Sequence, residues 1–87
     1  MIRVLIADDH PIVRSGIAAL VSSADDLELV GEAVDGLEAV ALALQLRPDV
    51  VLMDLRMPGL TGDEATARIL SEAPEVRVVI LTTYESD

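Results

Sequence analysis

Several residue types are absent from this sequence or nearly so. It contains no cysteine, phenylalanine or tryptophan, a single tyrosine and a single histidine, and its six basic residues are all arginine. Because there is no cysteine, disulfides and thiolate metal sites are excluded, and a reducing compartment is permitted. Sixteen acidic residues give a formal net charge of −10. This charge argues against DNA, RNA or an anionic membrane as a direct partner, since phosphate groups are bound by clustered lysine and arginine.

Length and hydropathy predict one small domain with an aliphatic core. Eighty-seven residues lie near the lower limit for independent folding, and a hydrophobic fraction of 52% argues against disorder. No apolar run approaches the ~20 residues of a membrane-spanning helix. The N-terminus lacks the apolar stretch and cleavage site of a signal peptide. We therefore expect a cytoplasmic protein whose single domain comprises residues 1–87.

The apolar periodicity alternates between that of strands and that of helices. The segments typical of strands are Ile2–Ala7, Leu27–Val34, Val50–Met53 and Arg77–Thr82. Three amphipathic helices separate them, and their predicted starts are Pro11 and two capping boxes, Asp35–Glu38 and Thr61–Glu64. The apolar faces predicted for the first two helices are Val13, Ile17, Leu20 and Val21, and Leu37, Val40, Ala41 and Leu44.

The alternation of strands and helices predicts a parallel sheet with right-handed crossovers. The second strand is the most polar and suits a sheet edge, so we predict the strand order 2-1-3-4 of a flavodoxin-like, doubly wound α/β fold. This order places the apolar fourth strand at the opposite edge, where it is open to pairing with another chain. We therefore expect a homo-oligomer, formed by edge pairing or by exchange of elements.

Three aspartates follow the two strands at which the strand order reverses, where sheets of this type bind ligands. Asp8 and Asp9 follow the first strand, and Asp54 follows the third. Two carboxylates about 4 Å apart repel each other by roughly 4 kcal/mol at an effective dielectric constant of 20. Bound Mg²⁺ would offset this repulsion and allow one carboxylate to attack phosphorus. The repulsion also predicts that at least one carboxyl pKa is raised.

A purely structural interpretation of these residues stays open. Asp8, Asp9 or His10 could cap the helix that follows, and Asp54 could simply end a buried strand. We interpret His10 as a loop or helix-start residue. The side chains of Arg14 and Arg56 are predicted to be solvated, and Gly62 to allow close packing of the backbone.

Three motifs stand at the predicted strand ends: Ala7-Asp8-Asp9-His10-Pro11, the segment Asp54–Gly62, and Leu81-Thr82-Thr83-Tyr84. With these motifs the whole chain resembles a response-regulator receiver domain of bacterial two-component signalling. The first and last motifs resemble most the subfamily in which the receiver precedes a LuxR-type helix-turn-helix output domain that binds DNA.

The resemblance implies a role for each site residue. Asp54 would accept a phosphoryl group from a phosphohistidine on a sensor histidine kinase. Asp9 would be the main Mg²⁺ carboxylate, with Asp8 acting directly or through water and the backbone carbonyl of Arg56 as a further ligand. The Thr82 hydroxyl would hydrogen-bond the phosphoryl group. Such a domain is a signalling acceptor and not a dedicated enzyme, although it can dephosphorylate itself.

The sequence departs from the family pattern at its C-terminus. Receivers continue into a fourth helix, a fifth strand that ends in an active-site lysine, and a fifth helix, whereas this sequence stops at Asp87 and has no lysine. We therefore expect a truncated receiver, from the first to the fourth strand, in which Mg²⁺ binding survives at least weakly and phosphoryl transfer and signalling are badly impaired. The alternative is a receiver-shaped interaction module that is not phosphorylated. A phosphohydrolase is disfavoured, because Arg56 stands where those enzymes carry a second aspartate.

Overall fold

The computed structural model describes residues 1–81, which form four strands and three helices in strict alternation. The strands are Ile2–Ala7 (β1), Leu27–Ala33 (β2), Val50–Asp54 (β3) and Arg77–Leu81 (β4). The helices are Pro11–Ser23 (α1), Gly36–Leu46 (α2) and Gly62–Glu72 (α3). Thr82, which the sequence predicts as the last residue of the fourth strand, lies outside the described residues.

All strand pairs are parallel, and their order in the sheet is β2-β1-β3-β4. The predicted strand order and the flavodoxin-like fold are therefore confirmed. Within residues 1–81, none of the helices has the length and apolar character needed to cross a bilayer.

The central strand β1 contributes to a hydrophobic core on each face of the sheet. Leu5 and Ala7 pack on the face covered by α2 and α3, whereas Val4 and Ile6 pack with Val21 of α1 on the other face. This alternation follows from the two-residue period of a strand. Helices on both faces explain why β1 is apolar along nearly its whole length.

The predicted helix faces are partly wrong. Half of the residues on the predicted apolar faces are exposed: Val13 and Leu20 of α1, and Leu37 and Ala41 of α2. The fully buried positions of α2 include Ala39 and Ala43. These small side chains allow α2 to pack closely, so the buried face is displaced from the large residues that periodicity favours.

Both predicted capping sequences start helices. Thr61 and Glu64 form a complete capping box at α3, since each side chain accepts a hydrogen bond from the other residue's backbone N–H. At α2, the Asp35 side chain accepts from the Glu38 N–H, but Glu38 accepts in return from the N–H of Val34 and not of Asp35. The α2 cap therefore extends one residue further back than predicted.

The start of α3 packs directly against the end of β3. The N–H of Gly62 donates to the carbonyl of Leu55 at 2.8 Å. A Cβ atom on Gly62 would lie 2.5 Å from the carbonyl oxygen of Asp54 and 2.8 Å from Leu55 Cα. The predicted close packing of Gly62 is therefore confirmed, and it fixes the backbone that carries Asp54.

Replacement of Gly62 by alanine should lower the free energy of unfolding by about 1–3 kcal/mol, because the added methyl group must displace backbone atoms. For a chain of this size, each kcal/mol shifts the melting temperature by about 4–8 °C. Thermal denaturation followed by circular dichroism measures this change.

Gly16→Ala is the matched control. A Cβ atom on this helical glycine meets nothing within 4 Å, so alanine should stabilise α1 by about 0.5–1 kcal/mol. Equal melting temperatures for Gly62→Ala and Gly16→Ala would contradict the close contact between α3 and β3.

Candidate metal centre

The carboxyl ends of β1 and β3 lie side by side and bring three aspartates together. Ala7 is the register partner of Met53 in the parallel pairing of these strands. The next residue of each strand is therefore an aspartate, Asp8 beside Asp54. One carboxylate oxygen each from Asp8, Asp9 and Asp54 lies within 4.8 Å of the others. The structure thus places in one crevice the three aspartates singled out from the sequence.

Two of these aspartates are almost completely buried. Only 1% of Asp8 and 1% of Asp54 is exposed, whereas Asp9 is partly buried. Asp54 Oδ1 accepts a long hydrogen bond of 3.4 Å from the backbone N–H of Arg56. Asp54 Oδ2 and Asp9 Oδ1 are buried without a hydrogen-bond partner. Buried carboxylate oxygens of this kind are costly and indicate a site for a cation or a reacting group.

The backbone of Asp8 is held from two sides. Its N–H donates to the carbonyl of Ala33 on β2 at 3.0 Å, and its carbonyl accepts from the Arg14 guanidinium at 2.8 Å. The same guanidinium contacts Glu32 on β2 at 3.2 Å. The prediction that Arg14 is a solvated side chain is therefore wrong, since this residue fixes the loop between β1 and α1.

His10 occupies the N-cap position of α1 but makes no side-chain capping bond. Its Nδ1 atom instead lies 3.1 Å from Asp8 Oδ1, 3.1 Å from Asp9 Oδ1 and 3.7 Å from Asp54 Oδ2. The hydrogen bond to Asp8 and the negative charge of Asp9 raise the pKa of His10. The sequence interpretation placed His10 correctly at the helix start but missed its position among the carboxylates. The signal in the sequence that could have indicated this position is that His10 directly follows two aspartates.

Burial raises the pKa of Asp54, and the negative charge of Asp8 adds to the rise. The raised carboxyl pKa expected from the sequence is present, although burial and not charge repulsion is its largest cause. Because the folded-state pKa lies above the unfolded value, this group favours folding when it is protonated. That contribution is lost as the pH rises through the folded-state pKa. Above that pH, the ionised Asp54 destabilises the metal-free fold.

An open cavity of about 620 Å³ adjoins the cluster at Asp9 and His10, and the β3–α3 loop with Arg56 lines another part of it. The cavity gives a small ligand access to the cluster. Coordination by the Arg56 carbonyl stays a prediction. The predicted role of Thr82 falls on a residue outside those described.

A family model described as the response regulator receiver domain matches residues 4–87. The chain belongs to this family. Among curated relatives, the receiver is 49% identical over 87 residues to the transcriptional regulatory protein LiaR of Bacillus subtilis. It is 48% identical over the same length to the response regulator GacA of Pseudomonas viridiflava. In both comparisons all of this chain is covered but only 41% of the relative, so the receiver spans about two fifths of their length.

Solved receiver structures have the same fold. The response regulator domain of Thermotoga maritima CheB superposes with a TM-score of 0.91 at 43% identity, covering 94% of this chain and 60% of that one. A LuxR-family response regulator from Aurantimonas gives a TM-score of 0.91 at 39% identity, covering 98% of this chain and 61% of that one.

Receiver domains typically bind Mg²⁺ at an acidic pocket, and the residues of this receiver fit that ion. Mg²⁺ favours one or two carboxylates together with retained waters. The crevice supplies carboxylate oxygens without hydrogen-bond partners, on Asp9 and Asp54, beside an open cavity. Bound at these oxygens, Mg²⁺ would offset the repulsion among the aspartates and would attract a phosphoryl group.

Asp54→Asn should raise the melting temperature of the receiver in EDTA, because it removes an unfavourable buried charge and keeps the oxygen that accepts from Arg56. Addition of millimolar Mg²⁺ should then stabilise the wild type more than the variant, since only the native wild-type site offers the full set of carboxylates. Thermal melts with EDTA and with Mg²⁺ measure both effects.

Asp25→Asn is the control, because it removes the same charge from an exposed residue in the turn between α1 and β2. Wild-type melts that superimpose in EDTA and Mg²⁺ would contradict a metal centre. A response of Asp25→Asn equal to that of Asp54→Asn would show that net charge alone is responsible.

Proposed function

We propose that this receiver accepts a phosphoryl group on Asp54 from a phosphohistidine of a sensor histidine kinase. Asp9 and Asp54 would hold Mg²⁺, with Asp8 acting directly or through water and the backbone carbonyl of Arg56 as a further ligand. Thr82 would donate its hydroxyl to the phosphoryl group. The observation that carries the proposal is Asp54 Oδ2, a buried carboxylate oxygen without a hydrogen-bond partner in the acidic crevice of a receiver.

The proposed transfer is a displacement at phosphorus. One carboxylate oxygen of Asp54 forms the new O–P bond while the P–N bond to the donor imidazole breaks, and the bonding electron pair returns to the ring nitrogen, which takes up a proton. Mg²⁺, when bound, supplies positive charge for the phosphoryl oxygens. The packing of Gly62 against the Asp54 carbonyl holds the nucleophile in place during the attack.

We further propose that transfer to this 87-residue chain is slow. Receivers use a lysine to contact the phosphoryl group, and the chain contains none. The cationic charge around the phosphoryl group would therefore come mainly from the metal ion. The same absence favours the second candidate function, a receiver-shaped interaction module that is not phosphorylated.

Incubation with acetyl phosphate and Mg²⁺ should add the mass of one phosphoryl group to the intact wild-type chain, and Asp54→Asn should remain unmodified. Intact-mass spectrometry over a time course gives both the site and the rate. EDTA should abolish the modification, because the phosphoryl donor then meets three carboxylates without a metal ion to offset their charge.

The same measurement separates the two candidate functions. An unmodified wild type would favour the interaction module. Equal modification of wild type and Asp54→Asn would assign the reaction to another residue and overturn the role of Asp54.

The proposed partners are a sensor kinase and a second copy of this receiver, in the cytoplasm. Direct contact of this acidic segment with nucleic acid is not part of the proposal. Several relatives and solved neighbours are named as transcriptional or DNA-binding regulators, so an attached DNA-binding output domain belongs to the proposal for the whole protein.

Self-association is proposed at β4. Within residues 1–81 this strand pairs only with β3, and Val79 is 47% exposed. Val79→Lys should weaken association, because a charged edge residue opposes strand pairing. Ile12→Lys, at an exposed position of α1, is the matched control. Sedimentation at about 50 µM, within the range of ordinary dimer affinities, measures both. A well-folded wild-type monomer would contradict the proposal.

A further inference from the structure

The imidazole of His10 lies among the aspartates and does not cap the helix that it precedes. The residue is at an N-cap position, yet its side chain caps no backbone N–H of α1. Half of the side chain is exposed, so the ring could point into solvent instead. Its Nδ1 atom nevertheless approaches one oxygen of each of Asp8, Asp9 and Asp54.

The four atoms have the spacing of ligands around one ion. Neighbouring ligands of an octahedral ion at about 2.1 Å lie about 3.0 Å apart, and opposite ligands about 4.2 Å apart. The Nδ1 atom of His10 lies 3.1 Å, 3.1 Å and 3.7 Å from one oxygen each of Asp8, Asp9 and Asp54. One possible ligand atom from each of the four residues lies within 4.8 Å of the other three. Small side-chain movements would let one ion contact all of them.

A second observation points to an ion within this cluster. Asp54 is 1% exposed, and its Oδ2 atom is buried without a hydrogen-bond partner. The His10 ring does not satisfy this oxygen, because the Nδ1 atom is 3.7 Å away and bonds to Asp8. The set of available donors is therefore one imidazole nitrogen and three carboxylate oxygens.

We infer that His10 Nδ1 is a fourth protein ligand when the site holds a first-row transition ion such as Mn²⁺ or Co²⁺. An imidazole nitrogen suits transition ions, whereas Mg²⁺ favours carboxylate oxygens and water. Coordination requires the neutral ring with its hydrogen on Nε2, and the ion replaces the hydrogen bond between Nδ1 and Asp8. With Mg²⁺ the ring turns towards solvent. The inference rests on the proposed metal centre but not on phosphorylation of Asp54.

His10 is the only histidine in the sequence, so an imidazole signal from a bound metal ion can be assigned to it directly. Pulsed electron paramagnetic resonance of the Mn²⁺-loaded protein, prepared without a histidine tag, should show nitrogen coupling from one directly bound imidazole. His10→Gln should remove the coupling, since glutamine has similar reach but no ring nitrogen. Absence of the coupling in Mn²⁺-loaded wild type would overturn the inference without reference to any variant.

Calorimetric titration gives the second measurement. His10→Gln should lower the Co²⁺ affinity by about tenfold or more, the scale seen even when partners of metal ligands are removed. The Mg²⁺ affinity should stay equal or rise, because the ring no longer competes for the carboxylates. Equal losses for both ions would overturn the preference.

Asp54→Asn separates this inference from the metal centre on which it rests. If Asp54→Asn weakens binding of every ion while wild type lacks the nitrogen coupling, the metal centre stands and the role of His10 is wrong. If Asp54→Asn changes the binding of no ion, the centre itself is wrong. The acetyl phosphate reaction is scored independently, so its failure would concern only the proposed function.

Discussion

The parallel pairing of β1 with β3 is the constraint on which the site depends. Because Ala7 is opposite Met53, β1 and β3 end side by side, and an aspartate is the next residue after each of these two positions. The register is fixed by two hydrophobic cores, since a shift of one residue would move Leu5 and Ile6 to the wrong faces. Apolar packing on both faces thus holds together carboxylates that repel each other.

The fold opposes this repulsion through the backbone more than through the side chains. Gly62 packs on the carbonyl of Asp54, and Arg14 with Ala33 holds the peptide groups of Asp8. These contacts fix the backbone atoms of Asp8 and Asp54, from which the carboxylate side chains extend. They leave Asp54 Oδ2 without a hydrogen-bond partner. A site built in this way keeps its geometry while an ion or a phosphoryl group enters.

Sequence reasoning succeeded where the signal is periodic or local. The alternation of strands and helices predicted the strand order, and the polar second strand identified an edge. The box at Thr61 and Glu64 marked the start of α3, because capping depends on residues three apart.

It failed where the outcome depends on neighbours that are distant in sequence. Leu20 and Leu37 lie on apolar faces by periodicity, but the arc of a helix that becomes buried depends on the surface that covers it. The contacts of Arg14 with Asp8 and Glu32 require the β1–α1 loop to pass beside β2. The position of the His10 ring likewise depends on its side-chain rotamer and on Asp54, which lies 44 residues later in the sequence. No pattern within a single element contains that information.

The incomplete neutralisation of the cluster has an energetic consequence for ligand binding. One imidazole nitrogen faces three carboxylates, and it is bonded to Asp8 while Asp54 Oδ2 remains without a hydrogen-bond partner. The repulsion that remains in the folded protein is released when a cation enters, so it adds to the affinity. The burial that raises the pKa of Asp54 and destabilises the metal-free receiver is therefore one source of its capacity to hold an ion.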